Sequence, residues 1–199
     1  MTGYAAVLLS GGAARRMRGV DKPARPVGGR PMLHRVLEAV AGADERIVVG
    51  PAGPVPAGVR VTREEPPGGG PVAATAAGLA LLGPGTSTVA LLAADLPLLT
   101  AAAVDGLRRA LDGSRAGLAC YVDGDGRRQQ LCGVWRATAL RAALDRLAAE
   151  RGGTVDGASV RGLLAGVAVR EVAWTGSGPP PWFDCDTDED VRRAEEWTR

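Results

Sequence analysis

The sequence runs to 199 residues, 46% of them apolar and 23% charged, with a formal net charge of only +2. That length suits one well-cored domain over 1–199, and so small a charge gives no reason to expect nucleic acid or a membrane surface as partner. Three cysteines without C-x-x-C spacing (Cys120, Cys132, Cys185) argue against a disulfide framework or a zinc site and read as buried thiols. The only histidine, His34, falls in a predicted helix and leaves histidine-based catalysis little to work with. Met1-Thr2-Gly3 carries no basic n-region, and no apolar run reaches the roughly 18 residues of a membrane span. The expectation is a cytoplasmic chain without a signal peptide.

Taken in order, Ala5–Leu9 is an apolar run that reads as a buried strand, broken at Ser10-Gly11-Gly12. Gly28-Gly29-Arg30-Pro31 predicts a turn, with the proline suited to the first position of a helix over 31–42. Met32, Val36, Leu37 and Val40 give that helix its apolar stripe. Arg46–Gly50 and Val59–Arg63 read as short strands, separated by the proline- and glycine-rich loop 51–58. Gly68-Gly69-Gly70-Pro71 opens a helix to about Leu82, and Ser87–Ala93 is apolar enough to be a central strand. A helix from Thr100, its N-cap, to Leu111 follows. Ala116–Val122 and Gln129–Arg136 then flank the hairpin turn Asp123-Gly124-Asp125-Gly126. That turn lacks the position-12 glutamate of a calcium loop, where Val134 stands. Helices over 137–149 and 159–164, a strand over 167–173 and a closing helix over 187–197 complete the chain. The alternation predicts an α/β fold, a Rossmann-like three-layer α/β/α sandwich on a mostly parallel sheet, with the hairpin as an antiparallel edge.

Around the first glycines the chemistry points to an anion. Glycine backbones let N–H groups approach phosphate, while Arg15, Arg16, Arg18 and Lys22 supply positive charge with Asp21 the only acid. A tight basic turn on a solvated face is the alternative. Neither G-x-x-x-x-G-K-[ST] nor G-x-G-x-x-G fits this stretch. It resembles instead the signature L-x-G-G-x-x-x-R-M-G-x-x-D-K of the molybdenum cofactor guanylyltransferases. Leu9-Ser10-Gly11-Gly12, Arg16-Met17 and Asp21-Lys22 stand at the family's spacing, with Arg18 where the family has glycine. The fold this resemblance implies is that of the nucleotide-diphospho-sugar transferases.

Further segments carry the resemblance along the chain. Gly70-Pro71-Val72 is similar to the G-P-L-A-G segment that helps bind guanine and ribose, and Glu65 stands where an aspartate is common. Asp95, in Leu-Leu-Ala-Ala-Asp-Leu-Pro-Leu-Leu, matches the family's D-x-P aspartate, which holds Mg²⁺ and contacts the nucleotide. A lone aspartate at a strand end is otherwise a common turn former. Asp184-Cys185-Asp186-Thr187-Asp188-Glu189-Asp190 resembles the closing D-x-D-T-P-E-D segment, with Asp188 in place of proline. Alternation puts Asp184 and Asp186 on one side of an extended stretch, and either could supply a second metal ligand, with Asp186 the expected one. Helix N-terminal acids without a ligand role are the other reading. Arg127-Arg128-Gln129 resembles the R-x-x-Q region and offers either a receptor for the acceptor's phosphate or a solvated turn.

The resemblance implies nucleotidyl transfer, GMP passing from GTP to molybdopterin with release of pyrophosphate, with Mg²⁺ as cofactor. Lys22, Asp95 and Arg16 would be the catalytic residues, and Asp95 and Asp186 the metal ligands. The nucleotide would be held by Leu9, Ser10, Gly11, Gly12, Lys22, Glu65, Gly70 and Asp95. Substrates are then GTP and molybdopterin, with transient contact to molybdenum cofactor assembly proteins as a further expectation. A phosphate monoester is largely dianionic at neutral pH, its second pKa being about 6, so attack on the α-phosphorus needs no strong base. Guanine against cytosine is not decided by these residues. A related cytidylyl- or guanylyltransferase for another phosphorylated acceptor, or a nucleotide-binding regulator without turnover, stays open. Lys22 and Asp95 together speak against the regulator.

Overall fold

A computed structural model of the protein describes residues 3–11 and 22–198. Among them the order is β1 (Ala5–Leu9), a short 3-10 helix (Lys22–Ala24), β2 (Pro26–Val27), β3 (Arg30–Pro31), α1 (Met32–Ala39), β4 (Glu45–Val49) and β5 (Val59–Thr62). Then come α2 (Gly70–Ala80), β6 (Thr88–Ala93), α3 (Ala101–Asp112), β7 (Leu118–Val122) and β8 (Arg128–Arg136). The chain closes with α4 (Ala137–Glu150), α5 (Val160–Leu164), β9 (Val169–Ala173) and α6 (Asp188–Trp197). Seven strands form one sheet in the order β5-β4-β1-β6-β8-β7-β9.

All pairings in that sheet are parallel except the two that β8 makes, with β6 and with β7. The α/β three-layer expectation therefore holds, with one correction. The 123–126 hairpin is not an edge: β8 lies inside the sheet, and β9, parallel to β7, is the outer strand on that side. Composition explains the exchange. Cys132–Trp135 of β8 are buried throughout, as an interior strand requires, while β9 alternates half-buried valines with exposed residues.

Strand alternation splits the core between two faces. Tyr4, Ala6 and Leu8 pack with Val36 and Leu37 of α1 and Val104 and Leu107 of α3. Ala5, Val7 and Leu9 pack with α2, α4 and α5 on the other face. Helix α2 lies unusually close, because a Cβ at Gly78 would stand 2.5 Å from a Val7 methyl and 2.9 Å from a Val49 methyl. A third, smaller cluster joins Val27, Met32, Leu98 and Cys185 to Val191 and Ala194 of α6, so the closing helix docks on the β2–β3 ribbon. That ribbon turns through Gly28 and Gly29 at φ 55° and 76°, the two positive angles a type I′ turn needs. Pro31 ends the ribbon and stands as the N-cap of α1, one position before the expected one.

Hydroxyl groups cap three helices, that of Thr100 as the sequence suggests. The Thr100 hydroxyl accepts from Ala103 N at 3.2 Å, Ser159 accepts from Gly162 N at 3.1 Å, and Thr187 with Asp190 forms a capping box on α6. Asp123 closes the hairpin turn, its Oδ1 accepting from Asp125 N and Arg127 N.

The three cysteines are free and buried. Burial pushes the Cys120 thiol up to about 11 and the Cys132 thiol up to about 12. In the unfolded chain both ionise near their ordinary pKa of about 8.5. Their folded pKa values are raised, so the stability tied to them is full below pH 8.5, falls as pH rises above it, and is lost once pH has passed through 11–12. Chemical unfolding followed from pH 7 to 11 should show stability falling above pH 9 by about 1.4 kcal/mol per pH unit for each thiol. Replacing Cys132 with Ala should remove its share, about half of that slope; an unchanged slope would contradict the burial of its thiol.

Candidate functional site

The carboxyl ends of the parallel strands line one edge of the sheet, where open α/β folds place their ligands. Leu9 ends β1, and its carbonyl accepts from Ala94 N at 3.0 Å, which ties the first loop to the turn holding Asp95. Ser10 N donates to Val49 O at 2.9 Å, and the Ser10 hydroxyl reaches the carbonyls of Val49 and Pro51. Ser10 thus spends its polar groups on the end of β4 and the start of the loop that follows it.

Gly50 makes that arrangement possible. It has φ 113°, a value β-carbon-bearing residues avoid, and a Cβ there would lie 2.7 Å from Gly11 N and 3.0 Å from Ser10 Oγ. Two backbones therefore meet at the mouth of the first loop. Beside them opens a cavity of about 620 Å³, walled by residues 50–53 after β4 and 61–63 of β5 and its end. Gly50 reads in the sequence only as a strand terminus, so its part in the site was missed.

Beyond β5, the Glu64 carboxylate accepts from Gly68 N at 3.0 Å and rounds the turn into α2. Glu65 is exposed in that turn. Gly70, at φ 88°, begins α2, with Pro71 in its first turn as the sequence suggests. Gly69 O accepts from Gly157 N at 2.7 Å, and a Cβ on Gly69 would meet Asp156 at 2.9 Å. The 156–157 segment therefore backs the glycine loop, a contact between residues far apart in the chain.

On the other side of β1, Asp95 follows β6 half-buried. Its backbone carbonyl accepts from Cys185 N at 3.3 Å. Cys185 is fully buried while Asp184 and Asp186 on either side are exposed, which is the predicted alternation. Asp190 is committed to the cap of α6, accepting from Asp186 N, Thr187 N and the Thr187 hydroxyl. Asp188 pairs with Arg25, just after the 3-10 helix that Lys22 opens, so the far end of the first loop is anchored to the same acidic segment. Arg128 pairs with Glu171 at 2.7 Å, and Arg127 is exposed.

Of the expected site residues, the structure brings Leu9, Ser10, Gly11, Asp95 and the 184–186 segment to one edge, with Glu65 and Gly70 beyond β5. Gly12 and Arg16 lie outside the described residues, and Lys22 is described by its backbone alone. Among the described residues no group of three or more His, Cys, Asp or Glu forms a metal cage. Asp95 and the exposed Asp184 and Asp186 are carboxylates on one edge, tied there by the bond from Cys185 N to Asp95 O. Magnesium takes one or two carboxylates together with phosphate oxygens and water. No helix among the described residues is long and apolar enough to cross a membrane.

Comparison with known proteins bears on the same architecture. Residues 6–168 match the family described as a MobA-like NTP transferase domain. The molybdenum cofactor guanylyltransferase of Bradyrhizobium sp. (strain ORS 278) is 31% identical over 202 residues, covering 98% of this chain and 92% of its own. The fold is shared with molybdopterin-guanine dinucleotide biosynthesis protein A of Archaeoglobus fulgidus, at TM-score 0.74 and 17% identity over 96% of this chain and 97% of that one. It is shared too with the 2-C-methyl-D-erythritol 4-phosphate cytidylyltransferase of Thermus thermophilus, at TM-score 0.71 and 20% identity over 98% of both chains.

Proposed function

The chain belongs to the MobA-like NTP transferase family and is a nucleotidyltransferase, and from that premise we propose that it transfers GMP from GTP to molybdopterin, releasing pyrophosphate. One observation carries the reading. The bonds Ala94 N to Leu9 O and Cys185 N to Asp95 O fasten the end of β1, Asp95 and the 184–186 acids into a single edge. That edge supports a reading in which the loop's N–H groups take phosphate and the acids take a divalent cation.

In the proposed reaction an oxygen of the acceptor's phosphate forms a bond to the α-phosphorus of GTP. The bond from that phosphorus to the bridging oxygen of the β-phosphate breaks, and pyrophosphate departs with the electron pair. The acceptor phosphate is already dianionic, so no side chain need remove a proton. Catalysis is then alignment and charge neutralisation. Gly11 and Gly12 offer backbone N–H groups to the phosphates, and Arg16 and Lys22 offer charge. Gly70 and Glu65 border the nucleotide from the α2 side, with the base toward the cavity at Gly50. Asp95, with Asp184 or Asp186, would hold magnesium, which supplies charge neutralisation on the α-phosphate and the leaving group.

GTP labelled at the α-phosphate tests the reading. With molybdopterin and magnesium, the label should pass wholly into a molybdopterin guanine dinucleotide identified by its mass. Label that stays in free GMP, or no dinucleotide from any acceptor, would overturn it.

A further inference from the structure

We infer that Tyr121, Trp174 and Trp182 form an aromatic wall that receives a planar heteroaromatic ring of the acceptor, on the side of Asp95 away from the nucleotide loop. The inference rests on the proposed transfer to an acceptor and names the part of the acceptor this surface would hold.

Strand order sets the two sides. Along the carboxyl edge, β4 and β5 with the Gly50 cavity lie on one side of β1 and β6, while β7 and β9 end on the other. Asp95, after β6, stands between them. A nucleotide bound at the first loop therefore leaves the β7–β9 side for the attacking substrate.

That side is lined with rings. Tyr121, near the end of β7, is buried and fixed by its hydroxyl, which donates to Ala103 O at 2.8 Å. Trp174 immediately follows β9 and meets Tyr121 edge-on, with centroids 5.5 Å apart and planes at 88°. Trp182 overlaps Tyr121 at 5.2 Å and 33°. The Trp174 indole N–H donates to Gly178 O at 3.2 Å, which folds the glycine–proline loop back on the first indole. Trp182 precedes Asp184 by two residues, so the wall runs directly into the segment docked on Asp95.

Both indoles are half-buried beside a charged edge. Both pack against the core cluster beneath α3 yet keep part of their ring surface at the edge, and an aromatic surface of that kind can stack on a flat ligand. A pterin is a flat fused heteroaromatic ring with a π face, whereas a polyol phosphate has none. The wall therefore favours a ring-bearing phosphate over an open-chain one as the acceptor.

The test is to measure KM for molybdopterin and for GTP separately in Trp174→Leu and Trp182→Leu, with Trp→Phe at each position as rescue. Loss of stacking is expected to raise KM for molybdopterin about 5- to 150-fold, the range for a base stacked on an aromatic side chain. KM for GTP should move less than twofold, and the phenylalanines should recover most of the loss. Equal KM values for molybdopterin in wild type and both leucine variants would overturn the inference, as would a parallel rise for GTP. Quenching of indole fluorescence by a pterin monophosphate separates this failure from failure of the transfer reading. Saturable quenching in wild type, lost in the double leucine variant, supports the wall even if no dinucleotide forms. Dinucleotide formation without such quenching would keep the transfer and overturn the wall.

Discussion

Asp95→Ala is expected to lower kcat/KM for pyrophosphate release by on the order of 10²–10³-fold, the range for removing one preorganised charge-stabilising group. The variant should still fold, because the bond that docks the acidic segment runs from Cys185 N to the backbone carbonyl of residue 95, which alanine keeps. The loss should therefore appear in turnover at saturating GTP, measured on protein whose unfolding transition shows it folded. Asp95→Asn should fall nearly as far, since the amide retains shape but not charge. Either variant within tenfold of wild type would remove Asp95 from the catalytic centre.

The second large effect belongs to Gly50. Any β-carbon there must adopt φ near 113° and stand 2.7 Å from the backbone nitrogen of Gly11. Gly50→Ala is expected to cost about 1–3 kcal/mol of stability through that conformation. It should also push Gly11 away from the phosphate position. The readout is a split: KM for GTP rises severalfold while KM for the acceptor holds, alongside a lower urea midpoint. A variant that loses stability but keeps its KM for GTP would make Gly50 a folding glycine only.

Much of the scaffold was legible because local signals agreed with one another. The apolar run at 88–93 has no polar face to give to solvent, and it became an interior strand flanked by β1 and β8. Thr100 was a cap residue in fact as well as in pattern. The sheet's edge was misjudged because the hairpin was placed by chain order. The unbroken apolar stretch Leu131–Trp135, set against charged Arg170 and Glu171 in β9, carried the correct answer. Two-residue strands such as β2 and β3 are too short for periodicity to reveal, although Gly28-Gly29 marked their turn.

The site divides in the same way. Asp95 and the 184–186 acids were visible by residue type and by resemblance, and Cys185 buried between two exposed aspartates follows from simple alternation. Their meeting depends on one backbone hydrogen bond between residues 90 apart in sequence, which composition cannot announce. Gly50 and the Asp156–Gly69 contact stayed hidden for that reason. Their constraint comes from a distant segment pressing on them, and nothing in the flanking residues records it.

If this edge joins a nucleotide to an acceptor, release of pyrophosphate must depend on both substrates. Wild-type protein with magnesium should be offered GTP, CTP, ATP and UTP in turn, each with and without molybdopterin. Release is expected from GTP, only with molybdopterin present, and should stop when magnesium is chelated. Release from CTP in place of GTP, or release from GTP that is indifferent to molybdopterin, would contradict the proposed transfer.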